Sequence, residues 1–296
     1  MTNTPVNYRG RFAPSPTGPL HKGSLVAAIA SYLEAKTNNG QWLLRMEDVD
    51  ESRNVQGAAD NILRSLEAYG FEWDEEVIYQ TQRKQAYADA LQQLKDKNLI
   101  YPCTCSRRDL KILADNGQLK TSSMGYIYPG TCINKPFETS TTKHYSIRIK
   151  TTASTISFAD SLQGNYSQQL NIDSGDFVIQ RRDGLFAYQL AVVVDDALQN
   201  ISHVVRGIDL IDSTPRQIYL QQCLNLPPLK YTHLPVILNP QGEKLSKQTG
   251  AKGIGLTANI PLLFECLNFL GQAPPIELKN ENLPTVWEWA KTHWKL

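Results

Sequence analysis

Groups suited to holding phosphate concentrate in two places in this chain of 296 residues. The first is Arg11-Phe12-Ala13-Pro14-Ser15-Pro16-Thr17-Gly18-Pro19-Leu20-His21-Lys22-Gly23-Ser24. It reads as a short strand, a rigid proline-bearing turn and a helix start, and the free backbone N–H groups of a helix start attract phosphate oxygens. His21 stands where its ring could donate to such an oxygen, and Gly18 and Gly23 would let a nucleotide approach the backbone. The second is Asn239-Pro240-Gln241-Gly242-Glu243-Lys244-Leu245-Ser246-Lys247-Gln248. This is a polar, glycine-bearing surface loop in which Lys244 and Lys247 can converge on one polyphosphate. Taken singly, each has a plainer reading: a proline-rich αβ loop with an incidental histidine, and a solvated basic loop.

A third group is built from sulfur. The chain has 5 cysteines, an odd number that argues against a disulfide framework. Cys223 and Cys266 stand alone in apolar surroundings, as small core residues do. Cys103, Cys105 and Cys132 share one stretch and suggest a partial metal site. Zinc takes four ligands, and chemistry alone would offer His144 as the fourth. Three free thiols in a β-rich segment is the plainer alternative.

These residues need elements to position them. Arg9 to Ala13 reads as a strand, followed by a helix with Leu25, Ile29, Tyr32 and Leu33 on one face and a stop at Asn38-Asn39-Gly40. Gln41 to Met46 reads as a strand that delivers Glu47 and Asp48 at its carboxyl end. Amphipathic helices fit around Ala58 to Tyr69 and Arg83 to Lys97. The alternation predicts an α/β fold with an open parallel sheet. From Tyr101 to about Gln180 the texture turns rich in Thr, Ser, Gly and Cys, with β-like pieces such as His144 to Lys150, which reads as an insertion. Leu190 to Val194 reads as a strand ending at Asp195-Asp196, and His203 to Val205 as another. Beyond Gly250 the pattern is helical, with Leu262, Leu263, Cys266, Leu267 and Leu270 in a stripe. The expected organisation is therefore a catalytic domain from 1–100 and 181–250, an inserted subdomain over 101–180 and a helical segment over 251–296.

Lys+Arg 30 against Asp+Glu 29 leaves no global field to attract a nucleic acid, so any such partner must meet a local basic surface. Arg107, Arg108, Lys111, Arg181 and Arg182 are candidates, with solvation as their plainer use. The first residues lack the apolar core of a signal peptide, and no apolar run approaches membrane length, so a soluble, cytoplasmic protein without a membrane partner is expected. Gly253-Ile254-Gly255-Leu256-Thr257-Ala258 fits a dinucleotide motif by letter, but it follows a polar loop and lacks a surrounding βαβ unit. An oxidoreductase is not expected.

The two phosphate segments together resemble the HIGH and K-M-S-K-S motifs of class I aminoacyl-tRNA synthetases. The run from Arg11 to Gly23, then Leu44 to Asp50, Asp183 to Asp196, Val204 to Leu210 and Thr214 to Gln217 resembles the glutamyl branch of that class. The resemblance spans roughly residues 9 to 250 in the expected order. It implies a Rossmann-type catalytic domain, ATP with Mg²⁺, and no covalent enzyme intermediate. Activation would be attack of the glutamate α-carboxylate on the ATP α-phosphate. Pro14, Gly18, His21, Gly23, Ser24, Lys244, Leu245, Ser246 and Lys247 would hold ATP, with His21, Lys244 and Lys247 as the catalytic groups. Arg11, Phe12, Ala13, Pro14, Ser15, Glu47, Tyr188 and Arg206 would surround L-glutamate. Its two carboxylates need cations and its ammonium an anion, which makes Glu47 the ammonium partner and the two arginines the carboxylate partners.

The resemblance also implies a structural zinc ion on Cys103, Cys105, Cys132 and, as an unusual fourth ligand, Tyr128. Only residues 251–296 follow the lysine loop, too few for the further anticodon-reading part of ordinary glutamyl-tRNA synthetases. That shortness, with the cysteines and a lysine motif ending in Gln248, resembles the glutamyl-queuosine tRNA(Asp) synthetases. In those, activated glutamate goes to queuosine in the tRNA(Asp) anticodon. Ser24 and Gln248 depart from the general motifs without removing a charge the chemistry needs. A monomer is expected, with activation independent of tRNA. The alternatives are a short synthetase charging the tRNA 3′ end and a synthetase-like binding protein without catalysis.

Overall fold

The computed structural model describes residues 8–122, 124–137, 145–238, 242 and 252–296. The chain begins with a parallel β–α–β unit: β1 (Arg9–Phe12), α1 (Lys22–Thr37) and β2 (Gln41–Met46), with Arg11 in register with Leu43. Leu25, Ile29 and Leu33 of α1 are wholly buried, as the spacing predicts, and a run of alanines lets the helix lie close on the sheet. Asn39 takes a left-handed φ of 50° where the helix stops. α2 (Ala58–Ala68), β3 (Ile78–Tyr79) and α3 (Lys84–Asp96) follow, and β3 pairs in parallel with β2.

The middle of the chain carries β4 (Ile100–Cys103), α4 (Arg107–Asp115), β5 (Thr121–Ser122), β6 (Gly125–Tyr126), β7 (Ser146–Ile149), β8 (Thr155–Asp160), β9 (Gly164–Gln169), α5 (Leu170–Asp173) and β10 (Phe177–Gln180). β10, β7 and β4 form an antiparallel sheet behind the cysteines. The β8–β9 hairpin joins the strands that follow, with Tyr231 in parallel register with Asp160.

Then come α6 (Tyr188–Leu198), β11 (His203–Gly207), α7 (Thr214–Leu224) and β12 (Lys230–Leu234), with β11 and β12 parallel. The two parallel units abut at β1 and β11, where the Ser202 backbone N–H donates to Arg9 O at 2.9 Å. Leu190 to Val194 is thus helix, not the strand expected from its apolar run. α6 packs against α3, α7 and β10 with every residue from Leu190 to Asp196 buried. A helix covered on several sides is as continuously apolar as a buried strand, and periodicity cannot separate them.

α8 (Ile260–Phe269) and α9 (Leu283–His293) close over α1. Each is started by an asparagine side chain that accepts from the third residue on, Asn259 from Leu262 and Asn282 from Thr285, both at 3.0 Å. Trp287 reaches back into the core, its indole N–H donating to Tyr69 O at 2.8 Å and its ring edge-on to Phe71 at 5.0 Å. Of the expected stripe, Leu263, Cys266 and Leu267 are buried and Leu262 and Leu270 half-buried.

Candidate active site and cysteine cluster

The carboxyl ends of β1, β2, β11 and β12 open onto a cleft of about 690 Å³. This is the place an open parallel sheet offers a ligand, and the volume suits small molecules. Arg11, Phe12, Ala13, Pro14 and Ser15 line it from β1 and the turn beyond, Glu47 from the end of β2, Arg206 from β11 and Tyr188 from the first residue of α6. All eight residues expected around an amino acid therefore meet in one cleft. His21, Gly23 and Ser24 line the same cleft at the start of α1. Gly18 does not; its φ of 135° belongs to the turn, a conformation that side chains disfavour.

His21 caps α1. Its Nδ1 accepts the Ser24 backbone N–H at 3.2 Å, and an Nδ1 that accepts leaves the ring N–H at Nε2. Lys244, Leu245, Ser246 and Lys247 lie outside the described residues. Ile237, just before their loop, lines the cleft, and after it Gly253 forms a bridge with His21 while Ile254 N–H donates to Leu20 O at 2.9 Å. The glycine of the dinucleotide-like run has a packing use: a Cβ on Gly253 would stand 3.2 Å from Pro19.

A buried ion network underlies the cleft. Arg11 grips Asp196 with two nitrogens, at 3.1 and 3.3 Å. Arg45 reaches the same carboxylate at 2.8 Å, Glu47 at 3.3 Å and the Gln199 side-chain oxygen at 2.7 Å. Asp195 accepts from Arg83 at 2.6 Å, Tyr87 at 2.7 Å and Gln80 at 2.9 Å. Burial opposes the Asp196 anion, yet Arg11 and Arg45 outweigh it and hold this carboxyl below its ordinary range. At Glu47 burial wins: its pKa rises although Arg45 and Arg11 pull the other way. A carboxylate so incompletely compensated is a fitting partner for an incoming ammonium. Tyr188 is pushed up by burial and then by Glu47, so it presents a neutral phenol.

Arg206, 6% exposed, is held on two of its nitrogens. Nε donates to His233 Nε2 at 3.1 Å and Nη2 to Thr214 Oγ1 at 2.8 Å, while Nη1 has no partner among the described residues. Sequence reasoning missed Arg45, Asp196, His233 and Asp160. The signal present was polar type in apolar company: an arginine within Trp42–Met46, and an acidic pair closing a buried run.

The cysteine cluster forms as its spacing suggested. The sulfurs of Cys103, Cys105 and Cys132 lie within 4.8 Å of one another. The Tyr128 hydroxyl sits among them, 3.2 Å from Cys103 Sγ and 3.4 Å from Cys105 Sγ, while Cys105 and Cys132 are 3.6 Å apart. Tetrahedral zinc with Zn–S bonds of about 2.3 Å has edges near 3.7 Å, so this donor set fits a metal such as zinc. Burial pushes the Cys132 thiol up, but hydrogen bonds with Tyr128 and the Thr104 backbone outweigh it and bring it to about 6. Arg148 donates to Cys103 Sγ at 3.3 Å and lies 3.9 Å over the Tyr128 ring, so it holds both groups in place from one side. His144 lies outside the described residues.

A second, larger groove of about 1730 Å³ leads from this cluster to the cleft, sharing Ser15, Glu47, Arg53 and Tyr188 with it. Arg107, Arg181 and Arg182 line it; Arg108 and Lys111 do not, and Lys111 pairs with Asp115 at 3.9 Å. Arg181 pairs with Asp50 at 3.0 Å and Asp183 at 2.7 Å.

Residues 7–256 match the family model of the catalytic domain of class I tRNA synthetases (E and Q). The chain is 54% identical over 287 residues to a glutamyl-Q tRNA(Asp) synthetase of Dechloromonas aromatica, covering 97% of this chain and 94% of the relative. A protein of the same name from Neisseria meningitidis is 48% identical, with 98% and 96% covered. Among solved structures, a glutamate-tRNA synthetase of Elizabethkingia anophelis matches with a TM-score of 0.71 and 30% identity over 82% of this chain. The chain spans about half (53%) of that larger protein. No helix among the described residues is long and apolar enough to cross a membrane. By the family match over most of its length and by these relatives, the chain belongs to the class I tRNA synthetases of the glutamyl and glutaminyl type.

Proposed function

We propose that this chain uses ATP to activate L-glutamate and transfers it to queuosine in the anticodon of tRNA(Asp). The observation that carries the reading is likeness at nearly full length to proteins named glutamyl-Q tRNA(Asp) synthetase, together with a cleft that pairs an arginine holding an unpartnered nitrogen with an under-compensated Glu47.

In this reading Glu47 takes the α-ammonium, while Arg206 and Arg11 face carboxylates. The glutamate α-carboxylate attacks the α-phosphorus of ATP, pyrophosphate leaves, and the acyl-adenylate waits in the cleft. The reaction needs orientation and charge neutralisation more than proton transfer. His21 Nε2–H, the backbone at the start of α1, Lys244 and Lys247 supply that, and ATP brings Mg²⁺ to its phosphates. The acceptor nucleotide then attacks the acyl carbon, releasing AMP. The basic groove beside Tyr188 is its proposed approach. Cys103, Cys105, Tyr128 and Cys132 would hold one zinc ion; four protein donors leave no open position, so the metal would be structural. About one zinc per chain is expected by metal analysis, and less than half would count against the site. The protein would act as a cytoplasmic monomer with activation independent of tRNA.

Likeness to glutamate-tRNA synthetases favours a second reading, charging of the 3′ end. Labelled glutamate offered to tRNA(Asp) with and without queuosine separates the readings. Label on the queuosine form alone supports the proposal. Label on both, or on tRNA(Glu), means 3′ charging, and label on none means a binding protein.

A further inference from the structure

We propose that Asp160 and His233 are positioning residues that hold Arg206 in the rotamer and polarity with which it meets the substrate side-chain or main-chain carboxylate. The inference rests on the reading above, in which Arg206 is a glutamate-binding group, and adds what sets its geometry.

The ladder between β11 and β12 places Arg206 directly opposite His233. Arg206 Nε donates to His233 Nε2 at 3.1 Å. A guanidinium has only donors, so Nε2 must be the unprotonated nitrogen of the ring and Nδ1 must carry the proton. Nδ1 faces Asp160 Oδ2 at 2.6 Å, so the carboxylate selects the tautomer that the arginine needs. Asp160 is itself fixed. Its Oδ1 accepts the backbone N–H groups of Leu162 at 3.0 Å, Gln163 at 3.0 Å and His233 at 3.2 Å. Gln163 also donates from its side chain to His233 O at 2.8 Å, closing the contact between the β8–β9 turn and β12. Thr214 Oγ1 accepts from Arg206 Nη2 at 2.8 Å and lies 3.1 Å from the same His233 Nε2, so the three side chains hold one another.

The two nitrogens so occupied fix the plane of the fork. Nη1 remains, buried and without a partner among the described residues, in an arginine that lines the cleft. Both Asp160 and His233 are buried, so neither meets the ligand through solvent. His233 is depressed to about 4, chiefly by burial and then by Arg206, which keeps the ring neutral at working pH. A protonated ring would confront the guanidinium with a second donor.

Three substitutions split this device at single atoms. Asp160→Asn keeps an oxygen for the backbone N–H groups but sets an NH₂ against His233 Nδ1, which must then accept and move its proton to Nε2, facing Arg206. His233→Asn keeps a donor toward Asp160 and removes the acceptor for Arg206. His233→Gln keeps an acceptor near the Nε2 position. In glutamate-dependent ATP–pyrophosphate exchange, Asp160→Asn and His233→Asn should raise the KM for glutamate about tenfold or more, with the KM for ATP within about twofold. His233→Gln should recover most of the loss. Glutamate-induced thermal stabilisation, read without turnover, should weaken in the same order. Should Asp160→Asn not fold, the two His233 variants carry the same contrast. Equal increases in both KM values, or His233→Gln no better than His233→Asn, would overturn the positioning role. Arg206→Ala is the control: if it raises the glutamate KM while Asp160→Asn and His233→Asn do not, the positioning fails and the binding role stands. An unchanged glutamate KM in Arg206→Ala would overturn the binding role itself.

Discussion

Two arginines face the same cleft from adjoining strands, and their surroundings differ. Arg11, on β1, belongs to a network in which Arg11, Arg45 and Arg83 meet Asp195, Asp196 and Glu47, three cations and three anions in contact. Arg206, on β11, forms no ion pair with a carboxylate among the described residues; a neutral imidazole stands between it and Asp160. The first arrangement is internally compensated and forms a rigid floor. The second leaves a charge whose partner must come from outside. Arg45 Nε in that network and Arg216 Nε also lack a hydrogen-bond partner among the described residues, so what marks Arg206 is that its open Nη1 belongs to an arginine lining the cleft.

The largest expected effect tests the floor. Asp196→Ala would strand Arg11 and Arg45 in a buried place, costing about 3–5 kcal/mol, and calorimetry should show a fall in Tm of roughly 10 °C. A Tm within about 2 °C of the parent would break the claim that this network is architectural. On the other side, Arg206→Ala should leave Tm nearly unchanged and raise the glutamate KM about 100-fold, a loss near 2.7 kcal/mol, as read by pyrophosphate exchange. The same pair of measurements on the two variants sharpens the contrast, because Asp196→Ala should act mainly on Tm and Arg206→Ala mainly on the glutamate KM.

Protonation separates the two sides as well. Asp196 is held low by Arg11 and Arg45, whereas His233, facing Arg206 and Asp160 with Arg11 nearby, is lowered to about 4 from its ordinary 6.5. The unfolded chain therefore takes up this proton as pH falls below 6.5 while the folded chain does not until about 4. Stability from this group is complete above 6.5 and is lost between 6.5 and 4, by about 2 kcal/mol at pH 5. His203, stacked on Tyr8 and also lowered to about 4, loses stability in the same window. Denaturant titrations at pH 7 and 5 should show the loss, and His233→Gln should remove its share only. The smallest expected effect lies in the lysine loop: Lys247→Ala should slow adenylate formation about tenfold with glutamate binding nearly intact, by single-turnover assay. A full-rate variant would remove Lys247 from the mechanism.

The amino-terminal half of the fold was legible because its elements are locally consistent. The apolar spacing in Leu25 to Leu33, the Asn38-Asn39-Gly40 stop and the strand Gln41–Met46 each carry their own signal, and the structure places β1, α1 and β2 there. Leu190 to Val194 was misread because burial on several sides removes the periodicity that separates helix from strand. At the site, the resemblance to the glutamyl synthetases singled out Arg11, Glu47, Tyr188 and Arg206, and all line the cleft. Their partners were not singled out. Asp160 and His233 lie 73 positions apart and meet only because β8 and β12 share a sheet.

By itself, the sequence determined the chemical inventory of this protein: a phosphate-type helix start at His21, cations and an anion suited to an amino diacid, and three thiols grouped for a metal. The helix start and the grouped thiols follow from residue type and local spacing, which short-range physics governs, whereas the set suited to an amino diacid is what the family resemblance implied. Only the tertiary structure decided which of the cations are already paired, which tautomer His233 carries and where the Tyr128 hydroxyl stands. Each of these depends on contacts between distant segments buried together, where removal from water makes the identity of every neighbour count.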